Sequence, residues 1–389
     1  MNRESPTDWN STTVGNACRI RNDLRLPISR EERAKMQGPY PYYGPTGQLD
    51  AISDYRLDGT FALIGEDGDH FLEVEDKPQT ILVSGKFNVN NHAHVIESTN
   101  HCIAEWFYNY FRHKCIKPFL TRQGAGRYKL NKAALKELPI GLPPIEEQEA
   151  INALFRKWDT AIQKTAQLIT AKEQHYSHEL SRLIGQSRHP HDHIGNFAKE
   201  VSERNRGGNE ARVLSVTNSR GFVLPEDQFK RRVASANLSN YKIVRQGQYA
   251  YNPSRVNVGS IARLDNWDEG VLSPMYVVFR LDEAKVDSDY FSHWLNSNEA
   301  RYRIANSAQG SVRQTVSFKE FAAIQIPLPE RSRQTRIARY LNALRKEIDL
   351  LKAYRGRLQK QKRGLMQKLL TGQWRIPEHR IDQEEQTSC

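Results

Sequence analysis

The sequence predicts an α+β molecule with two pseudo-symmetric α/β lobes joined by two long antiparallel coiled-coil helices. Three observations carry that expectation. A proline-rich lead-in followed by a long helical run occurs twice. The two runs keep one heptad register at a constant offset. The segment before each run mixes short apolar strands with an amphipathic helix.

The first lead-in reads Leu138-Pro-Ile-Gly-Leu-Pro-Pro-Ile-Glu-Glu-Gln148-Glu-Ala-Ile151 and runs on helically to Ile184. The second reads Ile324-Gln-Ile-Pro-Leu-Pro-Glu-Arg-Ser-Arg-Gln334-Thr-Arg-Ile337 and runs on to Leu370. Gln148 and Gln334 lie 186 positions apart, and Ile151/Ile337, Phe155/Leu341, Ile162/Ile348 and Leu183/Leu369 keep that offset. A unit that long, used twice, implies a pseudo-twofold molecule suited to a target in two halves. The prolines stop the preceding chain and set the angle at which each helix begins.

Along the first helix, Ile151, Phe155, Trp158, Ile162, Thr165, Ile169, Lys172, Tyr176, Glu179 and Leu183 step by four and three. Ile337, Leu341, Leu344, Ile348, Leu351, Arg355, Leu358, Lys362, Leu365 and Leu369 step identically. This spacing makes a coiled-coil seam, interrupted at Lys172, Glu179, Arg355 and Lys362. The polar breaks fall in the same half of each helix, which favours pairing of the two helices over separate attachment to their own lobes. Each would run ~40 residues, or ~60 Å at 1.5 Å per residue.

The organisation expected is a first lobe over 1–137, a proximal spacer over 138–186, a second lobe over 187–323, a distal spacer over 324–376 and a polar tail over 377–389. Strand-like runs fall at 61–64, 80–83 and 94–96 in the first lobe, with a helix at 103–111. In the second they fall at 212–216, 248–251, 259–263 and 275–279, with a helix near 290–296. Weak echoes join the lobes: Val14-Gly15-Asn16 with Ile194-Gly195-Asn196, Gly124-Ala-Gly-Arg127 with Gly310-Ser-Val-Arg313, and Gly59-Thr-Phe-Ala-Leu63 with Gly247-Gln-Tyr-Ala-Tyr251.

Composition narrows the function class. Hydrophobic residues at 38% and charged residues at 26% are ordinary for a soluble protein. No run approaches the ~18 apolar residues of a membrane span. Residues 1–6 lack the apolar stretch of a signal peptide, and four cysteines without paired spacing point to a reduced, cytoplasmic protein. The net charge of +12 is concentrated in 324–376, where 14 basic residues face 3 acidic ones. Charges so unbalanced repel one another unless a polyanion or an acidic partner lies nearby.

Catalytic signatures are missing. There is no phosphate-binding GxxxxGK[ST], since Ser84-Gly-Lys-Phe87 lacks its spacing, and no GxGxxG after a strand. Tyr251-Asn-Pro-Ser254 has Ser where the Asn-Pro-Pro-aromatic motif of adenine methyltransferases needs Pro. His92, His94, His101 and Cys102 have no second cluster at metal-finger spacing, so no metal site and no catalytic residue is expected.

In the order in which they occur, twice over, these motifs resemble those of the specificity subunits of type I restriction–modification systems. The resemblance covers nearly the whole chain. It rests on the lead-ins and helix starts at 142–162 and 328–348. In the first lobe it rests on Tyr42-Tyr-Gly-Pro-Thr-Gly47, Gly65-Glu-Asp-Gly68 and Val89-Asn-Asn-His-Ala-His94. In the second it rests on Tyr251-Asn-Pro-Ser-Arg255, Gly259-Ser-Ile-Ala262, Ser273-Pro-Met-Tyr276 and Gly310-Ser-Val-Arg313. One departure is visible: Leu344-Arg345 stands where the first copy has Trp158-Asp159, a position at which the family usually carries Asp.

The resemblance implies two target-recognition domains, each reading half of a bipartite double-stranded DNA sequence, and a helical ruler between them. It implies two adenine-methylating modification subunits docked on the helices, and restriction subunits that translocate and cleave DNA. S-adenosylmethionine, ATP and Mg²⁺ would belong to those partners, with no cofactor or catalysis on this chain and no membrane partner.

Base reading needs polar side chains on loops, since Asn and Gln pair with adenine, Arg with guanine, and Glu or Asp with cytosine. The candidates in the first lobe are Tyr43, Gly44, Thr46, Glu66, Asp67, Asn90, Asn91, His92, His94 and Arg127. In the second they are Asn252, Arg255, Asn257, Ser273, Gln309, Ser311, Arg313 and Gln314. Arg355, Lys362 and Arg363 on the distal helix are candidates to attract phosphates. Two rival readings are a coiled-coil adaptor with two protein-binding lobes and a solitary DNA-modifying enzyme. A steep salt dependence of DNA binding separates the first, and methylation or cleavage by the purified chain alone would support the second.

A ~60 Å helix spans at most about 18 base pairs at ~3.4 Å each. Deleting one heptad from each helix should therefore shorten the unread gap between half-sites or abolish activity. A gap of unchanged length, read by mapping methylated positions, would remove the ruler.

Overall fold

Nine consecutive residues, Leu57–Gly65, form the central strand of the first half. It pairs antiparallel with Thr80–Val89 on one side and Ala93–Glu97 on the other. The sheet extends through Gln37–Tyr43 and Gln48–Ile52 at one edge and Arg19–Ile20 at the other, six strands in all among the described residues. Residues 61–64 are apolar without alternation because both faces of the strand are covered. Ala62 and Ile64 join a core with Trp106, Phe107 and Phe111 of the helix Ala104–Phe111. Phe61 and Leu63 join a second cluster with Phe87, Val89 and Val95.

The computed structural model describes residues 9–122, 127–185, 189–208, 210, 212–227, 237–307 and 315–376. The chain folds as two units, Met1–Lys164 with Arg355–Cys389, and Thr165–Tyr354. Each unit includes part of both long helices, so the unit boundaries fall inside helices rather than at the lead-ins.

The second unit repeats the mixed pattern with smaller sheets. Four strands run in the order Ala198–Val201, Val277–Leu281, Tyr249–Tyr251 and Ile261–Arg263. Lys242–Arg245 pairs separately with Glu269–Leu272, and Ser215–Thr217 with Gly221–Val223. Tyr249 and Tyr251 pack with Phe279, Phe291 and Trp294, whereas Ala250 faces a cluster with Val244, Leu272 and Val278. The helix Ser288–Leu295 is capped by Asp287, whose carboxylate accepts from the Asp289 and Tyr290 amides. A further helix, Asn298–Ser307, has no counterpart in the sequence reading, because its polar sequence leaves only Ala300 and Ile304 buried.

The long helices run Ile145–Leu180 and Arg331–Leu369. Their packing is antiparallel within each unit. In the first unit Asp159 faces Lys362, with Nζ 2.6 Å from the carboxylate, and Glu147 faces Arg375 just beyond the distal helix. In the second, Lys172 pairs with Glu347 and Glu173 with Lys352, both at 2.7 Å, and His175 lies beside Tyr340. Phe155, Ile169, Leu341, Ile348, Leu358 and Leu369 are buried, and Trp158, Ile162, Tyr176, Leu183, Leu344, Leu351 and Leu365 half-buried. The helix ends also dock on their own lobes: Ile151, Phe155, Met366 and Leu369 lie in the first core, and Leu180, Ile337 and Leu341 in the second.

The repeated lead-ins explain themselves in the fold. Gln148 is fully buried: its side-chain oxygen accepts from the Ile103 amide and its nitrogen donates to the His101 and Pro143 carbonyls. Gln334, buried likewise, accepts from the Asp287 amide and donates to the Lys285 and Pro329 carbonyls. Each amide therefore ties a long helix to the loop that starts the lobe's own helix. Asn10–Thr13 pairs with Pro139–Leu142, and His191–His193 with Gln325–Pro327. At Gly15 a Cβ would lie 3.0 Å from Lys136 Cβ, and at Gly195 3.2 Å from Ala322 Cβ. That close approach accounts for the glycine in each copy of the echo.

Gln148→Ala and Gln334→Ala should each cost about 2–4 kcal/mol, since a buried amide and two carbonyls lose partners. Denaturant unfolding should show the loss, confined to one lobe by hydrogen exchange. A cost below ~0.5 kcal/mol would mean that the clasp is not structural.

Candidate nucleic-acid interface

In the first unit the three motifs singled out from sequence meet at one set of loops. The Asn90 amide donates to the Tyr43 carbonyl at 2.9 Å, and the Glu66 amide to the His92 carbonyl at 2.8 Å. Pro45 lies against Gly65, where an added Cβ would sit 3.3 Å from the proline ring. Glu66 is held by Arg25 at 2.7 Å and Lys129 at 3.4 Å, and Arg25 also donates to the Asn91 carbonyl. Asp67 pairs with His92 at 2.8 Å. Thr46, Asn91, His92 and Arg127 are exposed, Tyr43, Glu66 and Asp67 partly so, and Gly44 is buried.

His94 has a different place from that expected: it is buried in the lobe. Its Nε2–H donates to the Leu130 carbonyl at 2.7 Å, which leaves Nδ1 to accept from the Asn22 amide at 2.8 Å. Burial lowers its pKa, as a neutral ring with one donor and one acceptor requires. Asn90 is mostly buried too and accepts from the His92 amide, shaping the loop. His94 is thus removed from contact with bases. Arg25, Asn22 and Lys129 were missed, because only the fold brings them to this loop.

In the second unit, Asn252 anchors the corresponding loops. Its side chain accepts from the Ser254 amide and approaches Met275 Sδ at 3.9 Å, while its backbone amide donates to the Ser260 carbonyl. Gly259 adopts φ +91°, a conformation that favours glycine. The Ser260 hydroxyl donates to the Val216 carbonyl, which fixes the turn at 217–220 beside this loop. Arg255, Val258 and Met275 are exposed, and Asn252, Asn257 and Ser273 partly so. Gln309, Ser311, Arg313 and Gln314 lie outside the described residues.

From Asn257 and the turn at 217–220, a groove of about 670 Å³ leads to Asn342 and Arg345 on the distal helix. Its wall carries a hydrogen-bonded chain. The Tyr176 hydroxyl donates to His293 Nδ1 at 2.9 Å, and His293 Nε2–H donates to the Asn342 oxygen at 2.8 Å. The Asn342 amide donates to Asp289, which also pairs with Arg263 at 2.8 Å. Burial holds the His293 pKa below its usual value and raises that of Tyr176, so the phenol stays a donor.

The phosphate-attracting residues expected on the distal helix need correction. Lys362 is buried against Asp159 and Arg363 is paired with Glu75, so both charges are used within the fold. Arg355 is half-buried. Cys18 and Cys102 share a hydrogen bond in the core, which together with burial raises the Cys102 pKa. Among the described residues, no three His, Cys, Asp or Glu side chains converge on a metal-sized site.

The buried histidines set a pH dependence. His94 and His293 have folded-state pKa values below the ordinary 6.5. Above 6.5 neither folded nor unfolded chain holds these protons, and stability is full. As pH falls below 6.5 the unfolded chain binds them first, so stability declines down to the folded-state pKa. Thermal unfolding of His293→Gln between about pH 7 and 5 should decline less steeply than that of the wild type. Identical slopes would contradict a neutral His293.

A family model described as the type I restriction modification DNA specificity domain matches residues 6–173 and 236–360, well over half of the chain. The MjaVIII specificity subunit of a type I restriction enzyme from Methanocaldococcus jannaschii is 21% identical over 405 residues, covering 95% of this chain and 94% of that protein. A Haemophilus influenzae protein named as a type I restriction enzyme specificity subunit is 33% identical over 147 residues, 38% of this chain and 36% of its own length. The crystal structure of the S subunit of a type I restriction–modification system from M. genitalium shares the fold. Its TM-score is 0.60 at 15% identity, covering 95% of this chain and 97% of that one. With both lead-ins, both loop clusters and this match in place, the chain belongs to the type I restriction–modification DNA specificity family, whose role is recognition of the DNA target.

Proposed function

We propose that this chain reads a bipartite duplex target, one half with each of the segments 1–137 and 187–323, and that the helices in 138–186 and 324–376 set the distance between them. The observation that carries this reading is the meeting of separate motifs at one loop cluster in each unit. Tyr43, Glu66, Asp67, Asn91 and His92 supply donors and acceptors in the first. Asn252, Arg255 and Asn257 supply them in the second. Loops pinned by backbone hydrogen bonds hold such groups in register with base edges, where a good bidentate pair contributes roughly 1–3 kcal/mol of discrimination.

Catalysis belongs, in this proposal, to partners: two modification subunits that transfer a methyl group from S-adenosylmethionine to adenine N6, and restriction subunits that use ATP and Mg²⁺. The chain itself binds no cofactor and recognises without reacting. It works in the cytoplasm, and no described helix is long and apolar enough to cross a membrane. Support for the assembly comes from the family and from the basic side chains that stay exposed on the distal helix, such as Arg336, Arg339, Lys346 and Lys360.

Replacing 1–137 with the corresponding segment of a relative should change one half-site and leave the other intact, read by mapping methylated adenines in cells carrying the whole system. Simultaneous loss of both half-sites would refute separate reading by the two lobes.

A further inference from the structure

The sequence departure at Leu344-Arg345 acquires a meaning when the two units are compared. In the first, Asp159 is neutralised by Lys362 at 2.6 Å. Applying the 186-residue offset, Arg345 replaces Asp159 and Tyr176 replaces Lys362. An aspartate–lysine pair has therefore become an arginine beside a neutral phenol, and the Tyr176 hydroxyl is already donated to His293.

The neighbouring pair has changed as well. Gln148 accepts from Ile103 and Gln334 from Asp287, which makes Glu105 and Asp289 equivalent, each two residues further on. Glu105 pairs with Arg156. At the position of Arg156 the second unit has Asn342, whose amide meets Asp289, and Asp289 takes its cation from Arg263 instead. The result in the first unit is a set of closed ion pairs. In the second it is a groove with Arg301 and Arg345 on its lining, both exposed. Among the described residues neither is ion-paired to a carboxylate. Asp265 and Asp289, the carboxylates in the same lining, are both engaged by Arg263.

Two exposed guanidinium groups in a polar groove attract anions, and the groove begins at the loop that carries Asn257. We propose that Arg301 and Arg345 hold backbone phosphates of the duplex in this groove, positioning the second lobe on DNA without reading bases. This rests on the DNA-reading proposal above. It also makes the two lobes unequal, because at the positions of Asn342 and Arg345 the first has Arg156 paired with Glu105 and Asp159 paired with Lys362. The fixed chain from Tyr176 to Arg263 keeps the groove wall in shape before DNA arrives.

The test uses the full chain assembled with its modification subunits and a duplex containing the target. Binding is measured over a salt series for the wild type, Arg301→Gln, Arg345→Gln and the double variant. Each lost phosphate contact should make the slope of log K against log salt shallower by about 0.9, and the double variant by ~1.8. Arg345→Lys should restore the slope, and the methylated sequence should not change. Unchanged slopes in variants with wild-type unfolding curves would overturn the proposal, as would an altered target sequence. If the Gln variants unfold, Arg301→Lys with Arg345→Lys becomes the deciding comparison: a retained slope supports phosphate contact, and a lost one refutes it. A wild-type complex with no preference for its target would refute DNA reading itself, before any variant is compared.

Discussion

A buried carboxamide at the start of each long helix is the constraint on which the rest depends. Gln148 and Gln334 are buried, and each accepts one hydrogen bond from and donates two to backbone groups on the lobe and on the lead-in. An amide is suited to this because one side chain both accepts and donates. It fixes the helix against the loop that begins Ala104–Phe111 in one unit and Ser288–Leu295 in the other. A hydrophobic residue there would leave an amide proton and two carbonyls without partners in a dry interior. The prolines ahead of each glutamine narrow the backbone further.

Around that fixed joint the two copies have drifted. What they share is backbone geometry: a short strand against the lead-in, a glycine pressed on a helix, and a capped helical turn at Lys132–Lys136 or Phe318–Ala322. What they do not share is charge. The first unit closes its cations against Glu105, Asp159, Glu147 and Glu75. The second retains exposed arginines in a polar groove. Divergence of this kind changes contact surfaces without disturbing the core, since exposed charges contribute little to stability.

Much of the fold was legible because the signals were periodic. Heptad spacing located both long helices to within a few residues, and apolar runs such as 61–64 marked strands buried on both faces. Asn298–Ser307 was not legible, because a helix that buries two residues has no apolar stripe to read. The candidate site divided along similar lines. Motifs rich in Gly, Asn and Asp pointed correctly to loops, yet sequence could not distinguish an exposed Asn91 from a His94 turned inward. Nor could it show that Lys362 and Arg363 find carboxylates: Asp159 and Glu75 are 203 and 288 residues away, and only folding brings them close. The +11 on the distal segment is therefore less free than its count suggests.

The first unit is assembled from two stretches of the chain that flank the second unit. Trp9 packs edge-on against Trp106, and the Arg375 guanidinium lies 6.0 Å from the Trp9 ring while its nitrogens grip Glu147. Met366 and Leu369 complete the same core. The second unit, by contrast, is one continuous stretch, 165–354. During synthesis the first lobe therefore receives part of its core only from residues made after the whole of the second unit.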